Sequence, residues 1–110
     1  MAKAGGVLWQ DAHGNRYSFQ VDKLGVTYRP RPGVFIIARQ VTSGWEPLFI
    51  GECASFEVQL NHNLTRLPQW DCILHAGPTH IFTLHVPDNP KLRQRIEASL
   101  RRAHPTPCNR

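Results

Sequence analysis

Residues 33–41, GVFIIARQV, constrain the fold most, because they begin with an uninterrupted run of apolar residues, several of them β-branched. A run of this length and composition is typical of a strand that is buried on both faces, whereas a half-exposed strand alternates. It therefore predicts a sheet with this strand in its interior. A second apolar run, residues 47–51, follows a short loop and predicts the neighbouring strand.

Two other segments alternate apolar and polar residues. Residues 7–21 do so on both sides of a His-Gly-Asn centre, which predicts a β-hairpin whose turn uses Gly14. Residues 80–86 alternate well enough to predict a third strand of the central sheet. Between the hairpin and the buried run, Pro30 and Pro32 lack backbone donors and interrupt regular structure.

Capping residues predict two helices. Ser55 is a candidate N-cap for a helix that starts at Phe56 and ends at Pro68. Asn89 is a candidate N-cap for a second helix, in which Pro90 occupies the first position, where its missing donor does no harm. Each helix has an apolar stripe at steps of three and four: Phe56, Leu60, Leu64 and Leu67 in the first, and Leu92, Ile96, Leu100 and Ala103 in the second.

Length and composition favour one globular domain. Domains commonly hold about 100 to 150 residues, and this chain has 110, so we expect residues 1–110 to form a single domain. An apolar content of 41% argues against disorder. The apolar runs are too short for a membrane span, and the first residues do not resemble a signal peptide. We therefore expect a cytoplasmic protein with no membrane contact.

The cysteines give no sign of a disulfide framework or a zinc site. Cys53, Cys72 and Cys108 are odd in number and widely spaced, and none forms a Cys-x-x-Cys pair. The six histidines are scattered as well. This pattern predicts free thiols in a reducing compartment.

Positive charge is concentrated in two places. The formal net charge is +5, and most of it lies in residues 88–110, which hold six Lys or Arg residues against Asp88 and Glu97. Arg29 and Arg31 form a second cluster. Helical spacing places three of the basic side chains along one face of the last helix: Lys91, Arg95 and Arg102. Both clusters are candidates for binding the phosphates of a nucleic acid.

From residue 33 onward the chain resembles the GIY-YIG nuclease family in the order and spacing of its motifs. Gly-Val-Phe at residues 33–35 stands where the family has Gly-Ile-Tyr, and Phe-Ile-Gly at residues 49–51 where it has Tyr-Ile-Gly. The last helix carries Glu97, followed by a proline-containing stretch and then Asn109, which is also the family's closing pattern.

The resemblance implies a small three-stranded antiparallel sheet flanked by helices, an α/β fold of the α+β kind, to which residues 7–21 add a hairpin. In the family, two tyrosines and an arginine act on the scissile phosphate, a glutamate holds a divalent cation, and an asparagine supports the site. The corresponding positions here are Phe35, Phe49, Gln59, Glu97 and Asn109, with Gly33 and Gly51 as the motif glycines.

Three of these positions depart from the chemistry that the family needs. Phe35 and Phe49 keep an aromatic ring but lack the phenol, and Gln59 is neutral where an arginine would hold a phosphate. His62 lies near enough to offer proton transfer instead. Because each lost electrostatic contact costs on the order of a hundredfold or more in rate, we expect standard nuclease activity to be lost and no cofactor to be needed.

Two alternatives remain open. The first is an active, divergent endonuclease that uses Glu97, a magnesium ion and His62. The second is a protein-interaction module whose former cleft is filled by side chains or binds a peptide. Glu97 also has a simpler interpretation, as a partner in surface ion pairs with Arg93 and Arg101 on the same helix. The leading hypothesis is a GIY-YIG-like domain that retains binding to nucleic acid, with DNA as the expected partner.

Overall fold

The computed structural model describes residues 6–87 and 89–109, which form an α+β fold with one antiparallel sheet. Five strands are present in this part of the chain: β1 (Val7–Gln10), β2 (Arg16–Lys23), β3 (Gly33–Val41), β4 (Gly44–Cys53) and β5 (His80–His85). The helical segments are a π-helix (Glu57–His62), a 3₁₀ turn (Leu64–Arg66), α1 (Trp70–His75) and α2 (Pro90–Ala103).

The strand order is β1-β2-β5-β3-β4, so β3 lies in the interior, as its apolar run predicts. The sheet has five strands rather than three, because β2 pairs antiparallel with β5 and the N-terminal hairpin continues the central sheet. One row of register partners crosses four neighbouring strands and is called the transverse row. Gly51, Phe35, Thr83 and Gln20 are successive register partners on β4, β3, β5 and β2.

The two faces of the sheet bury different side chains of the same strands, because successive residues of a strand point to opposite sides. On what we call the first face, α2 packs against apolar side chains from all five strands. This cluster is Trp9, Phe19, Val34, Ile36, Ala38, Ile50, Phe82 and Val86, with Ile96 and Leu100 from α2.

On the second face, the π-helix, α1 and the C-terminal segment cover only part of the sheet. The apolar cluster there is Phe35, Ile37, Phe49, Cys53, Phe56, Leu60, Ile73, Ile81 and Cys108. Over β2 and β5 the same face carries polar side chains instead: Ser18, Gln20, Asp22, Thr83 and His85. The second face is therefore apolar at one end and polar at the other.

The segment after β4 is helical, but it is not the single helix that the sequence pattern predicts. Ser55 does act as a cap, since its Oγ accepts a hydrogen bond from the Val58 amide at 3.3 Å. The Asn63 amide then donates to the Val58 carbonyl at 3.0 Å, five residues back. This wider turn shifts the register, so Phe56 and Leu60 are buried while Leu64 and Leu67 are only partly so.

The prediction of three free thiols is wrong. Cys72 and Cys108 form a disulfide across a sequence separation of 36, and Cys53 is the buried free cysteine. The disulfide joins α1 to the C-terminal segment. The two cysteines come together because both segments cover the second face, which their spacing in the sequence does not reveal.

The last helix, α2, begins at the residue that the sequence predicts. Asn89 accepts a hydrogen bond through Oδ1 from the Leu92 amide at 3.0 Å, and Pro90 is the first helical residue. The buried side of this helix differs in part from the predicted apolar stripe. Arg93 and Ser99 are buried with Ile96 and Leu100, whereas Leu92 is exposed. No helix in the described part of the chain is long and apolar enough to cross a membrane.

Candidate functional site

Phe35 and Phe49, at the positions of the family's tyrosines, are core residues of the second face. Their ring centroids are 6.0 Å apart, and the side chains are 1% and 7% exposed. Gly51 lies beneath them: a Cβ at this position would sit 2.7 Å from the Phe35 ring and 2.9 Å from the Phe49 ring. The glycine is thus required by close packing of the two phenyl rings, independently of any catalytic role.

Gly33 has a similar explanation. A Cβ at Gly33 would lie 2.0 Å from the Leu84 carbonyl oxygen on β5 and 2.5 Å from the Phe56 ring. Because the backbone of the neighbouring strand cannot move aside cheaply, only glycine fits at this position. Both motif glycines therefore have structural reasons that stand without chemistry.

Gln59 and His62 both lie on the π-helix, after Phe56. The Gln59 side chain is half-buried, and the backbone N–H of Gln59 donates to the Ser55 carbonyl at 3.0 Å. His62 is exposed. Within residues 6–87 and 89–109, neither side chain makes a hydrogen bond that would orient it toward a reacting group.

Glu97 lies on the opposite face of the sheet from Phe35 and Phe49. Its helix, α2, packs through Ile96 and Leu100 on the first face, whereas the two phenylalanines belong to the cluster on the second face. The sheet itself separates the glutamate from the motif aromatics. The predicted catalytic positions are therefore divided between two layers and do not share a groove.

The electrostatic neighbours of Glu97 are arginine and a second glutamate. Its Oε2 lies 3.6 Å from Arg101 Nη1. Burial raises the pKa of Glu97, the Arg101 cation lowers it in part, and the nearby Glu52 carboxylate raises it further. Glu52 has its own partner, since Arg93 Nε donates to its Oε1 at 2.6 Å.

These contacts do not fit the divalent cation that the family resemblance assigns to Glu97. A guanidinium faces the carboxylate where a metal ion would bind, and the neighbouring Glu52 carboxylate is already paired with Arg93. Among the residues that the structure describes, no three His, Cys, Asp or Glu side chains are grouped to hold a metal ion. We derive no metal-dependent step from this arrangement.

Asn109 fixes the C-terminal segment to the outer edge of β4. Its Nδ2 donates to the Ile50 carbonyl and its Oδ1 accepts from the Ile50 amide, both at 2.8 Å. The Cys108 amide donates to the Leu48 carbonyl at 3.2 Å, and Arg101 donates to the Asn109 carbonyl at 3.1 Å. The segment thereby covers backbone groups that an edge strand would otherwise expose.

Arg29 and Arg31 lie on a firmly anchored loop, residues 28–32, which we call the arginine strap. Tyr28 exchanges two hydrogen bonds of 2.9 Å with the Asn61 side chain. The Arg31 amide donates to the Arg29 carbonyl at 2.8 Å, which makes a tight turn around Pro30, and the Arg31 carbonyl accepts from Phe56 at 2.8 Å. Backbone anchors and proline together hold the two exposed arginines in place.

The arginine strap forms one wall of a groove of about 580 Å³ on the second face. The floor is the polar part of β2 and β5, and Gln20 Nε2 donates to Asp22 Oδ2 there at 3.2 Å. Its lining residues include Arg29, Arg31, Asp22, Thr83 and His85. In the transverse row of the sheet, Thr83 is the direct neighbour of Phe35, so the groove lies beside the motif aromatics.

Tyr28 contributes a phenol to the same region. Its ring centroid is 6.4 Å from that of Phe56, and its buried hydroxyl has no hydrogen-bond partner within the described residues. Burial raises the pKa of Tyr28, and the nearby Asp22 carboxylate raises it further. The phenol therefore stays protonated and remains a hydrogen-bond donor at neutral pH.

The other predicted phosphate contacts lie elsewhere. Lys91, Arg95 and Arg102 are exposed on α2, in the layer that covers the first face. Arg29 and Arg31 line the groove on the second face. The two predicted clusters thus lie on opposite sides of the sheet.

Comparison of the chain with protein-family models, with the curated proteins and with the solved structures finds no match. The resemblance to the GIY-YIG family stays a prediction that rests on the motifs and their spacing, and the division of the motif positions between the two faces of the sheet counts against it.

Several residues of the groove do not stand out in the sequence. Ser18, Gln20 and Asp22 are every second residue of β2, and that alternation indicates only the polar side of a strand. Asn61, which anchors the arginine strap, lies in a predicted helix and contacts a loop more than thirty residues earlier in the chain. One signal was available: Pro30 and Pro32 around a pair of arginines indicate a rigid basic loop.

Proposed function

We propose that the protein is a GIY-YIG-like domain that has lost the family's nuclease chemistry and binds nucleic acid in the groove beside the arginine strap. The observation that carries this proposal is the groove itself. Arg29 and Arg31 stand on an anchored wall above a floor of hydrogen-bonding side chains. The anchored backbone of the arginine strap holds Arg29 and Arg31 beside the groove, where their exposed guanidinium groups are placed to meet a phosphate.

The motif positions support the loss of nuclease chemistry. Phosphodiester hydrolysis requires an oriented nucleophile and positive charge at the scissile phosphate. Phe35 and Phe49 are buried hydrocarbons, and Glu97 lies across the sheet beside Arg101. No group at these positions is arranged to activate water next to a phosphate held by the others.

Surface charge supports a polyanionic partner. Among the described residues, eight exposed Lys and Arg side chains make no salt bridge, whereas most of the acidic side chains are buried or already paired. These eight are Arg16, Lys23, Arg29, Arg31, Arg66, Lys91, Arg95 and Arg102. Unpaired surface cations attract phosphates over a distance of about 10 Å at ordinary ionic strength.

Fluorescence anisotropy with labelled DNA across a range of salt concentrations tests the proposal. We expect binding that weakens steeply with salt. In the Arg29→Gln/Arg31→Gln variant the slope of log K against log salt should fall by about 0.7 for each lost contact with a single strand. The matched control is Arg95→Gln/Arg102→Gln on α2, which removes the same charge from the opposite layer and should leave most of the affinity intact.

Three results would contradict the proposal in different ways. No binding at low salt would favour the protein-interaction module. Cleavage of DNA in the presence of magnesium that disappears in Glu97→Ala would establish the divergent endonuclease instead. A larger loss in the α2 control than in the groove variant would move the binding site to the helix.

A further inference from the structure

The groove is lined by groups of opposite charge. Arg29 and Arg31 supply positive charge from the arginine strap, whereas Asp22 places a carboxylate on the floor, fixed by the hydrogen bond from Gln20. A carboxylate repels phosphate oxygens at short range. A ligand that satisfies both kinds of group therefore carries phosphate for the arginines and hydrogen-bond donors for the carboxylate.

We propose that the groove binds an unpaired nucleic-acid strand, with Arg29 and Arg31 on its phosphates and the Asp22 carboxylate accepting a hydrogen bond from the exocyclic amine of a base. This inference rests on the proposed function, and it specifies the form of nucleic acid and the residue that selects among bases. Carboxylate side chains accept hydrogen bonds from the amino group of cytosine, and adenine and guanine carry amino groups too. Thymine and uracil have none.

The size of the groove favours a single strand. Its volume of about 580 Å³ falls among pockets of about 300 to 1,000 Å³ that hold small-molecule ligands. Such a space accommodates a short stretch of one strand, with a base turned toward the floor. A base inside a duplex has its pairing edge occupied and stays stacked, so it reaches such a floor only after unpairing at a cost of a few kcal/mol.

The floor supplies further partners around Asp22. Thr83 and His85 point to the same side of β5, and Ser18 and Gln20 to the same side of β2, so the base would meet donors and acceptors on two adjacent strands. Hydrogen-bonding groups along a sheet surface read the edges of unpaired bases, as in other single-strand readers. The polar end of the second face thus has the composition of a base-reading surface.

The test compares twelve-residue oligomers of dC, dA and dT, together with a mixed duplex, by anisotropy at one low salt concentration. We expect dC and dA to bind about tenfold more tightly than dT, since one charged hydrogen bond discriminates on that scale. We expect the duplex to bind more weakly than the strands that carry amino groups. The measured quantity is the affinity ratio of dC to dT, because overall charge affects both oligomers equally.

The decisive variant is Asp22→Ala, with Asp71→Ala as its control. Each removes one negative charge, but Asp22 lines the groove and Asp71 is exposed on α1. We expect Asp22→Ala to bring the ratio of dC to dT close to one while binding to dT is kept or strengthened. Asp71→Ala should preserve the wild-type ratio.

The outcomes separate this inference from the proposed function. No binding to any oligomer would overturn both. Two outcomes would overturn the inference alone, provided that binding still falls in Arg29→Gln/Arg31→Gln. The first is a dC-to-dT affinity ratio near one in the wild type, and the second is a ratio that Asp22→Ala does not change. A duplex that binds as tightly as the single strands would also overturn the inference alone. An oligomer of U that binds as tightly as dC would assign the Asp22 contact to the ribose 2′-hydroxyl and would overturn base selection.

Discussion

The two faces of the sheet are built from the same strands but are covered in different ways. On the first face, apolar side chains from every strand meet a single helix, α2. On the second face, the apolar cluster ends beside β5, and the polar groove begins there. Within β3, Ile36 serves the first face and Phe35 the second, so both faces depend on one apolar run. The polar groove is therefore the part of the second face that the helical segments leave uncovered.

The largest expected effect concerns the cover of the second face. Cys108→Ala removes the disulfide to Cys72, which closes a loop across a sequence separation of 36. The chain-entropy relation predicts a loss of about 3 to 4 kcal/mol in the free energy of unfolding. Urea unfolding of the wild type with and without reductant should show a decrease of the same size.

Cys53→Ala is a useful companion to this experiment, because Cys53 is buried but has no disulfide. That variant should remain sensitive to reductant, whereas Cys108→Ala should not respond to it. If reductant leaves the unfolding midpoint of the wild type unchanged, the disulfide does not support the second face in solution.

A smaller effect is expected when the family's phenol is restored. In Phe35→Tyr the new hydroxyl would extend from a ring that is 1% exposed and packed over Gly51. A buried hydroxyl without a hydrogen-bond partner costs about 1 to 3 kcal/mol. We expect that decrease in the free energy of unfolding, measured in urea, and no gain of DNA cleavage, since Glu97 stays on the other face.

The corresponding change on the first face provides the comparison. Ile36→Val removes one methylene from the cluster under α2 and should lower the free energy of unfolding by about 0.5 to 1.5 kcal/mol.

A Phe35→Tyr variant as stable as the wild type would mean that the end of the ring reaches water or a polar partner. The space around Phe35 would then be a cleft rather than core.

The sequence predicts those parts of the fold that local pattern determines. The interior position of β3 follows from its apolar run, and the start of α2 follows from Asn89 and Pro90. The disulfide between Cys72 and Cys108 was missed because pairing depends on which segments share a face. The π-helix was missed because the apolar steps of three and four in this segment are those of an ordinary helix, and they do not reveal hydrogen bonds that span five residues, such as that from Asn63 to Val58.

The candidate site was predicted only in part, for a related reason. Arg29 and Arg31 stand out as charges that alternate with Pro30 and Pro32, and both line the groove. Asp22 does not stand out, because a lone acidic residue on a strand usually faces solvent. Its importance arises from the pairing of β2 with β5, which joins the hairpin to the sheet and creates the floor.

The smallest expected effect concerns Glu97, on the helix that covers the first face. Burial, together with Glu52, raises the pKa of Glu97 above its usual 4.5, while Arg101 opposes the shift. A carboxyl with a raised pKa binds its proton more tightly in the folded state. Its favourable contribution to the free energy of unfolding is complete at pH values below the pKa that Glu97 has in the unfolded chain. The contribution is lost as the pH rises through the pKa that Glu97 has in the folded protein. Glu97→Gln should therefore show a smaller decrease in stability above pH of about 4.5 than the wild type does.

Urea unfolding at a series of pH values measures this difference, which should be below about 1 kcal/mol for an ion pair that is open to solvent on one side. Arg101→Gln is the informative partner variant, because it removes the cation that lowers the Glu97 pKa. We expect its stability to fall more steeply with pH than that of the wild type. An unchanged slope in both variants would mean that Glu97 is solvated. Its carboxylate would then be available to ligands on the first face, as the endonuclease alternative requires.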